Sequence, residues 1–323
     1  GRAWNTERTA HKLVWSVGPS RRMVPTPQFN PVLDFGRHGI RISGMAGGMD
    51  PLGSSTHCEF APEGSVKQMK TVGIIPARYA STRLPGKPLL SETGRPLIVH
   101  VLDAAARARR LDQVIVATDD LRIAQAVTDH GGRAVLTRSD HPTGSDRVAE
   151  VAAQLTEVDL IVNLQGDEPE VAGASIDLLV DLLADHPEVP MATLAAPIVD
   201  RAVYDDPSCV KVVRAANGRA LYFSRAPIPH HRDAPSLRGV TPEHPWGLLH
   251  IGIYAYRREF LLGLAQVPPS PLEETEKLEQ LRVLEAGHPI LVGVVPERSV
   301  GIDTPEDYRR FVERWRAGRV QAA

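Results

Sequence analysis

The chain has 323 residues, 42% of them hydrophobic and 24% charged, and its 37 Lys and Arg against 39 Asp and Glu leave a formal net charge of -2. That balance is typical of an ordinary globular protein of one or two domains, and it excludes a disordered or fibrous chain and any global electrostatic pull toward nucleic acid or anionic lipid. Its longest apolar stretches, 160–164 and 290–295, fall far short of the roughly 20 residues that cross a bilayer, so no integral membrane segment is expected.

In chain order, residues 1–68 come first and read as a poorly ordered N-terminal extension, with scattered Gly, Pro, Arg and Ser and no sustained period of 2 or 3.6. An apolar h-region is missing, so the segment is not a secretory signal; its arginines and few acids keep an organellar transit reading open, and a poorly ordered extension or a misplaced start ahead of Met69 is the plainer one. Cys58 and Cys209 have no CxxC spacing and form no disulfide framework, which suits a reducing, cytoplasmic setting. Residues 69–323 form the second domain. Val72–Ile75, Val114–Ala117, Ala134–Leu136 and Leu160–Leu164 are continuous apolar runs, as strands buried on both faces require. Helical stretches lie between or after them at Pro96–Arg110, Leu121–His130 and Ser145–Leu155. The alternation predicts an α/β fold with a doubly wound, mostly parallel sheet, whose ligands bind beyond the carboxyl ends of the strands.

The loop after the first strand, Ile74 to Lys87, holds Arg78, Arg83 and Lys87, and Pro76, Pro85 and Gly86 keep it out of regular structure. Arginine forks onto phosphate oxygens and lysine adds a compact charge, so the loop reads as a polyphosphate grip. Three basic residues on a loop are more often merely solvated; the place after the first strand of a parallel sheet favours the grip. Neither a Walker A pattern, since Pro88 follows Gly86-Lys87, nor a GxGxxG fingerprint is present.

The string from Pro76 to Leu89 resembles the signature loop of the 3-deoxy-manno-octulosonate cytidylyltransferase family, the CMP-Kdo synthetases. The likeness continues colinearly through His141–Arg147, Asn163–Pro169, Ala220–Arg225, His250–Tyr254, Leu278–Arg282 and Gly301–Asp307, and spans Lys70 to Trp315. It implies a nucleotidyltransferase-type fold with a smaller sugar-binding and dimer lobe at about 220–287, and a homodimer. The implied reaction transfers CMP from CTP to the anomeric hydroxyl of Kdo with Mg2+, for lipopolysaccharide-type polysaccharide synthesis. By resemblance, Arg78, Lys87, Asp167 and Asp303 are catalytic, and Asp167 and Asp303 hold the metal. Ala77, Arg78, Arg83, Lys87, Ser145, Arg147 and Gln165 would contact CTP, and Arg225, Arg232, His250, Tyr254, Glu279 and Gln280 the sugar acid.

The residues themselves support part of this. Asp167 follows a strand end and is a hard oxygen ligand, and Gly166 before it leaves space for a ligand to approach. Asp303 lies in Asp303-Thr304-Pro305, which reads equally as a helix start with Thr304 as N-cap. Arg225 follows the strand Ala220–Phe223 and suits a carboxylate, because a guanidinium meets one with two parallel bonds. His250 and Tyr254 alternate with Ile251 and Ile253, so a strand over Leu249–Tyr256 puts both on one face, although a strand histidine is more often structural. Glu279 and Gln280, about 100° apart on a helix over Leu272–Ala286, reach one ligand only across its flank. Three features depart from the family pattern. Ser145 and Asp146 replace Thr and Glu, and Ser145 equally suits a helix cap; His230 and His231 stand where an aromatic and an acid are expected; residues 1–68 have no counterpart. The competing functions are a cytidylyltransferase for sialic acid or amino-Kdo, and a non-catalytic nucleotide-binding homologue, since fold does not fix function.

Overall fold

The computed structural model describes residues 69–80, 83–233 and 240–318; the expected N-terminal extension, 1–68, lies outside the described residues. Among the described residues, apolar runs bounded by turns become nine strands: β1 (Thr71–Ala77), β2 (Gln113–Thr118), β3 (Arg133–Leu136), β4 (Leu160–Asn163), β5 (Met191–Ile198), β6 (Lys211–Arg214), β7 (Ala220–Ser224), β8 (Gly247–Arg257) and β9 (Ile290–Val294). The helices are α1 (Leu97–Ala105), α2 (Leu121–Asp129), α3 (Gly144–Ala153), α4 (Gly173–Asp185), α5 (Arg201–Asp205), α6 (Arg258–Leu264), α7 (Pro271–Glu276), α8 (Gln280–Glu285) and α9 (Pro305–Arg316), with a 3-10 turn at Lys87–Leu89.

The sheet runs β3-β2-β1-β4-β8-β5-β9, with β6 pairing β8 and β7 pairing β6. β1, β2, β3 and β4 are mutually parallel, β5 pairs β9 in parallel, and β8 lies antiparallel between β4 and β5. Six of the seven strands on this path therefore point one way, and β8 is the exception to the parallel expectation. The alternation of β1 divides the core. Ile75 and Ala77 face α1, α2 and α4, whereas Val72 and Ile74 face α3, α6 and α8. β8, which belongs to the 220–287 segment, runs through the centre of the main sheet.

Two elements differ from expectation. The helix over Leu272–Ala286 is broken into α7 and α8 at Lys277, which adopts φ 55. A continuous helix would spend the Glu276 and Lys277 carbonyls on the amides four residues on. Here the Arg225 guanidinium takes both, at 2.7 and 3.5 Å. The other is α3, whose N-cap is Thr143 in a capping box with Asp146, not Ser145.

A third small core docks α9 onto the start of α1: Tyr308, Phe311 and Ile302 pack with Leu84 and Leu97. This packing carries the segment ahead of α9 to the loop after β1.

Candidate active site

A cleft of about 560 Å³ opens at the carboxyl ends of β1 and β4, and a recess of about 420 Å³ adjoins it. Pro76, Gly144, Gln165, Asp167 and Asp303 border both. Ala77, Arg78, Arg83 and Lys87 line the recess, and Arg225, His250, Tyr254, Glu279 and Gln280 line the cleft.

Lys87 begins the 3-10 turn, and Gly86 sits before it at φ 67, a left-handed conformation open to glycine at no steric cost. The lysine ammonium donates to Asp167 Oδ2 at 2.8 Å, to the Ile302 carbonyl at 2.8 Å and to Asp303 Oδ1 at 3.3 Å. Arg83 reaches the same Asp303 oxygen at 3.2 Å. The Ile302 amide donates to the Asp167 carbonyl, so backbone and side chains both join these loops. Thr304 caps α9 with Asp307 as its box partner, which relieves Asp303 of the capping duty. Gly166 has a different role from the one expected. A Cβ there would lie 2.6 Å from the Pro76 carbonyl, so the missing side chain admits protein backbone and lets the β4 loop lie against the end of β1.

Arg78 lines the recess with Nη2 buried and unpartnered among the described residues. Arg147 is fully buried and does not line cleft or recess. Four residues before Val151, it shares that residue's sheet-facing side of α3. It pairs with Asp119 at 3.4 Å and donates to the Thr137 hydroxyl, while its Nε and Nη2 have no partner among the described residues. Burial pulls the Arg147 guanidinium below its usual range; Asp119 opposes the shift and the nearby Arg78 charge adds to it.

On the cleft wall, Gln165 donates to the Gly252 carbonyl at 2.5 Å. Ser145 donates to Glu279 Oε2 at 2.6 Å and, its proton so used, accepts from Asn163 Nδ2 at 3.5 Å. This leaves Asn163 Oδ1, at the end of β4, buried and without a partner among the described residues. Sequence reasoning missed Asn163; its signal was one polar residue closing the otherwise apolar run Leu160-Ile161-Val162. It also missed Lys277, whose exposed side chain lines the cleft at the break between α7 and α8. Tyr254 donates to Gln280 Oε1 at 3.3 Å, and burial raises the Tyr254 phenol well above its usual range.

Arg225 stands at the cleft, but its fork is committed to main-chain carbonyls: Glu276 at 2.7 Å, Pro207 at 3.1 Å and Lys277 at 3.5 Å. In this arrangement it braces the α7 corner. Arg232 is exposed and lines neither cleft nor recess. The adjacent His231 bonds the Trp246 carbonyl and packs edge-on against that ring, which turns this segment toward Tyr204 and Trp246. Glu168, beside Asp167, is pushed up to about 7 by burial and by the Asp167 charge, against the Ser299 hydroxyl bond that favours the carboxylate.

Chemically, the site offers cations at the recess, two carboxylates where the chambers meet and hydroxyl-binding groups along β8. That arrangement suits a polyphosphate next to a polyhydroxylated molecule. A family model described as cytidylyltransferase matches residues 72–291. The chain is 50% identical over 246 residues to a 3-deoxy-manno-octulosonate cytidylyltransferase of Syntrophobacter fumaroxidans, covering 76% of this chain and 96% of the relative. It is 49% identical over 243 residues to one from Syntrophotalea carbinolica, covering 75% and 97%. Among solved structures it is similar to a CMP:2-keto-3-deoxy-manno-octonic acid synthetase complexed with CTP, at 42% identity and a TM-score of 0.71 over 77% of this chain and 99% of that one.

Proposed function

The chain belongs to the 3-deoxy-manno-octulosonate cytidylyltransferase family, and from that premise we infer that it transfers CMP from CTP to the anomeric hydroxyl of Kdo, giving CMP-Kdo and pyrophosphate. The observation that carries this reading is the meeting of Lys87 with Asp167 and Asp303, 80 and 216 residues away in sequence, at the strand ends where the two chambers join.

The anomeric oxygen forms a bond to the α-phosphorus as the bond from that phosphorus to the bridging oxygen breaks, and the hydroxyl proton and pyrophosphate leave. Charge grows on the departing oxygens, and fixed cations aimed at them lower the barrier. Arg78 and Arg83 border the recess for that purpose, and the unpartnered Arg78 nitrogen is a donor awaiting an acceptor. Lys87 holds both carboxylate-bearing loops in register. Ser145, Gln165 and Ala77 complete the nucleotide side, with Arg147 supporting the wall behind Arg78. His250, Tyr254, Glu279 and Gln280 receive the sugar hydroxyls, and Arg225 acts on the sugar side by fixing the α7 corner.

The donor set suits Mg2+. Asp167 and Asp303 supply hard carboxylate oxygens around one shared cation, and no group of three or more potential ligand side chains exists among the described residues. One or two carboxylates plus substrate phosphates is how this ion is commonly held. When bound it supplies neutralisation of phosphate charge.

The same inference extends to the setting. No helix of the described residues is long and apolar enough to cross a membrane. A cytoplasmic homodimer serving lipopolysaccharide-type synthesis accords with the family. The test is pyrophosphate release from CTP, UTP and ATP with Kdo, amino-Kdo and sialic acid. CTP with Kdo should give the highest kcat/KM; preference for another sugar acid would move the assignment to that substrate, and no turnover with any pair would favour a non-catalytic homologue.

A further inference from the structure

Thr193 is fully buried on β5, behind the cleft wall. Opposite it, the pairing of β5 with β8 is irregular: Thr193 faces Tyr254, yet the next residue, Leu194, faces Ile251. Gly252 and Ile253 therefore have no partner on β5, a bulge of the kind that re-aims groups beside active sites. Its result is that three β8 groups converge on one hydroxyl. Thr193 Oγ1 lies 2.9 Å from the Ile253 carbonyl, 3.1 Å from the Ile251 carbonyl and 3.0 Å from His250 Nε2.

A hydroxyl has one proton to give and lone pairs to receive. Both carbonyls are acceptors only, so the Thr193 proton must go to them; were it given to His250, two carbonyl oxygens would face hydroxyl lone pairs at bonding distance. His250 Nε2 must then carry a hydrogen and donate to Thr193. The ring is fixed further by Phe223, edge-on at 4.9 Å between centroids, and by Tyr254 at 5.5 Å across the side-chain-free Gly252. Burial holds the imidazole well below its ordinary pKa, at about 3, so it is neutral and its other nitrogen is bare. The ring lines the cleft, and Nδ1 bonds nothing among the described residues.

We propose that Thr193 is a positioning residue that fixes His250 as its Nε2–H tautomer, leaving Nδ1 as a hydrogen-bond acceptor for a hydroxyl of the sugar acid. The clause about the sugar rests on the function inferred above; the tautomer does not. The arrangement also determines what the site rejects. A ligand presenting an acceptor at that point, such as a carbonyl or an O-methyl oxygen, meets a lone pair.

Two measurements separate the parts. Long-range proton–nitrogen correlation on the histidine-labelled, ligand-free protein, with His250 assigned by its loss in His250→Gln, should show a protonated Nε2 and a bare Nδ1 at neutral pH. A protonated Nδ1 overturns the proposal whatever the enzyme's substrate. Thr193→Val removes the hydroxyl with little change in shape and should give a mixture of tautomers, whereas Thr193→Ser should keep the wild-type pattern. In steady state, Thr193→Val should raise the KM for the sugar acid roughly three- to tenfold, the scale of one neutral hydrogen bond, with the KM for CTP and kcat near wild type and Thr193→Ser restoring the sugar KM. Equal losses for CTP and sugar, or no rescue by serine, would make Thr193 a structural residue alone. Should Thr193→Val fail to fold, the wild-type and Thr193→Ser spectra still decide the tautomer.

Discussion

Replacing Lys87 by Met tests whether one ammonium holds the loops bearing Asp167 and Asp303 together. The substitution keeps the length of the stem and removes a cation that is only 14% exposed and bonded to three oxygens. Hydrogen bonds to charged groups contribute about 1.5–3 kcal/mol each, but Asp167 and Asp303 are 30% and 46% exposed, and water recovers much of that after mutation. A net loss of about 2–3 kcal/mol is expected, which for a domain of this size lowers Tm by roughly 5–10 °C. A second consequence adds to that loss. The two carboxylate oxygens lie 2.8 and 3.3 Å from the same nitrogen, so they are no more than about 6 Å apart. Without the lysine they repel by roughly 1–2 kcal/mol after allowance for exposure. Asp303→Asn should therefore destabilise the wild type yet partly restore Tm in the Lys87→Met background. Thermal denaturation of the four proteins at neutral pH and low salt reads this cycle directly. Additive effects of the two substitutions, or an unchanged Tm in Lys87→Met, would refute the shared-cation account.

Asp167→Asn and Asp303→Asn should each lower turnover at least about a hundredfold with near-native circular dichroism, and chelation should abolish wild-type activity until Mg2+ is restored; full activity in either variant would remove the two-carboxylate assignment. Gly166→Ala places a methyl group 2.6 Å from the Pro76 carbonyl and should cost about 1–3 kcal/mol, with slower turnover, so an unaltered denaturation midpoint would contradict the close backbone approach. Arg225→Lys retains the charge but not the fork that braces Glu276 and Lys277, and its sugar KM should rise roughly thirtyfold, the equivalent of about 2 kcal/mol, while CTP affinity measured by calorimetry stays constant. His250 and His100 are held neutral by burial, at about 3 and about 4 against an ordinary 6.5. Below pH 6.5 the unfolded chain takes up protons that the folded chain refuses, so their contribution is complete above pH 6.5 and is lost as pH falls toward those values. His250→Gln should flatten the acid side of the stability curve, and the same slope in wild type and variant would rule out this linkage.

The sequence alone determined most of the parallel sheet and the basic loop that follows its first strand. β1, β2, β3 and β4 fall within two residues of the apolar runs; a strand buried on both faces, as β1 and β4 are, has to be apolar throughout, whereas β3 lies at the sheet edge and is only partly buried. His250 and Tyr254 share one face as the two-residue period requires, and Thr304 caps α9 as its neighbours predict. These features depend on local chemistry and on periods a chain carries within itself. Tertiary structure decided whatever depends on partners distant in sequence. A helical pattern over 272–286 cannot reveal that Arg225, some fifty residues earlier, takes two of its carbonyls and breaks it. An arginine in the string His141–Arg147 cannot announce that its helix face turns it into the core, as happens to Arg147, nor can Gly166 show that the space it leaves is filled by the Pro76 carbonyl. Lys87 was legible as a cation on the loop after the first strand, and it lines the recess there. That its ammonium joins Asp167 to Asp303 follows only from the packing of α9 against Leu84 and Leu97, since burial of those apolar side chains, rather than any attraction written into the loop, sets where the second carboxylate lies.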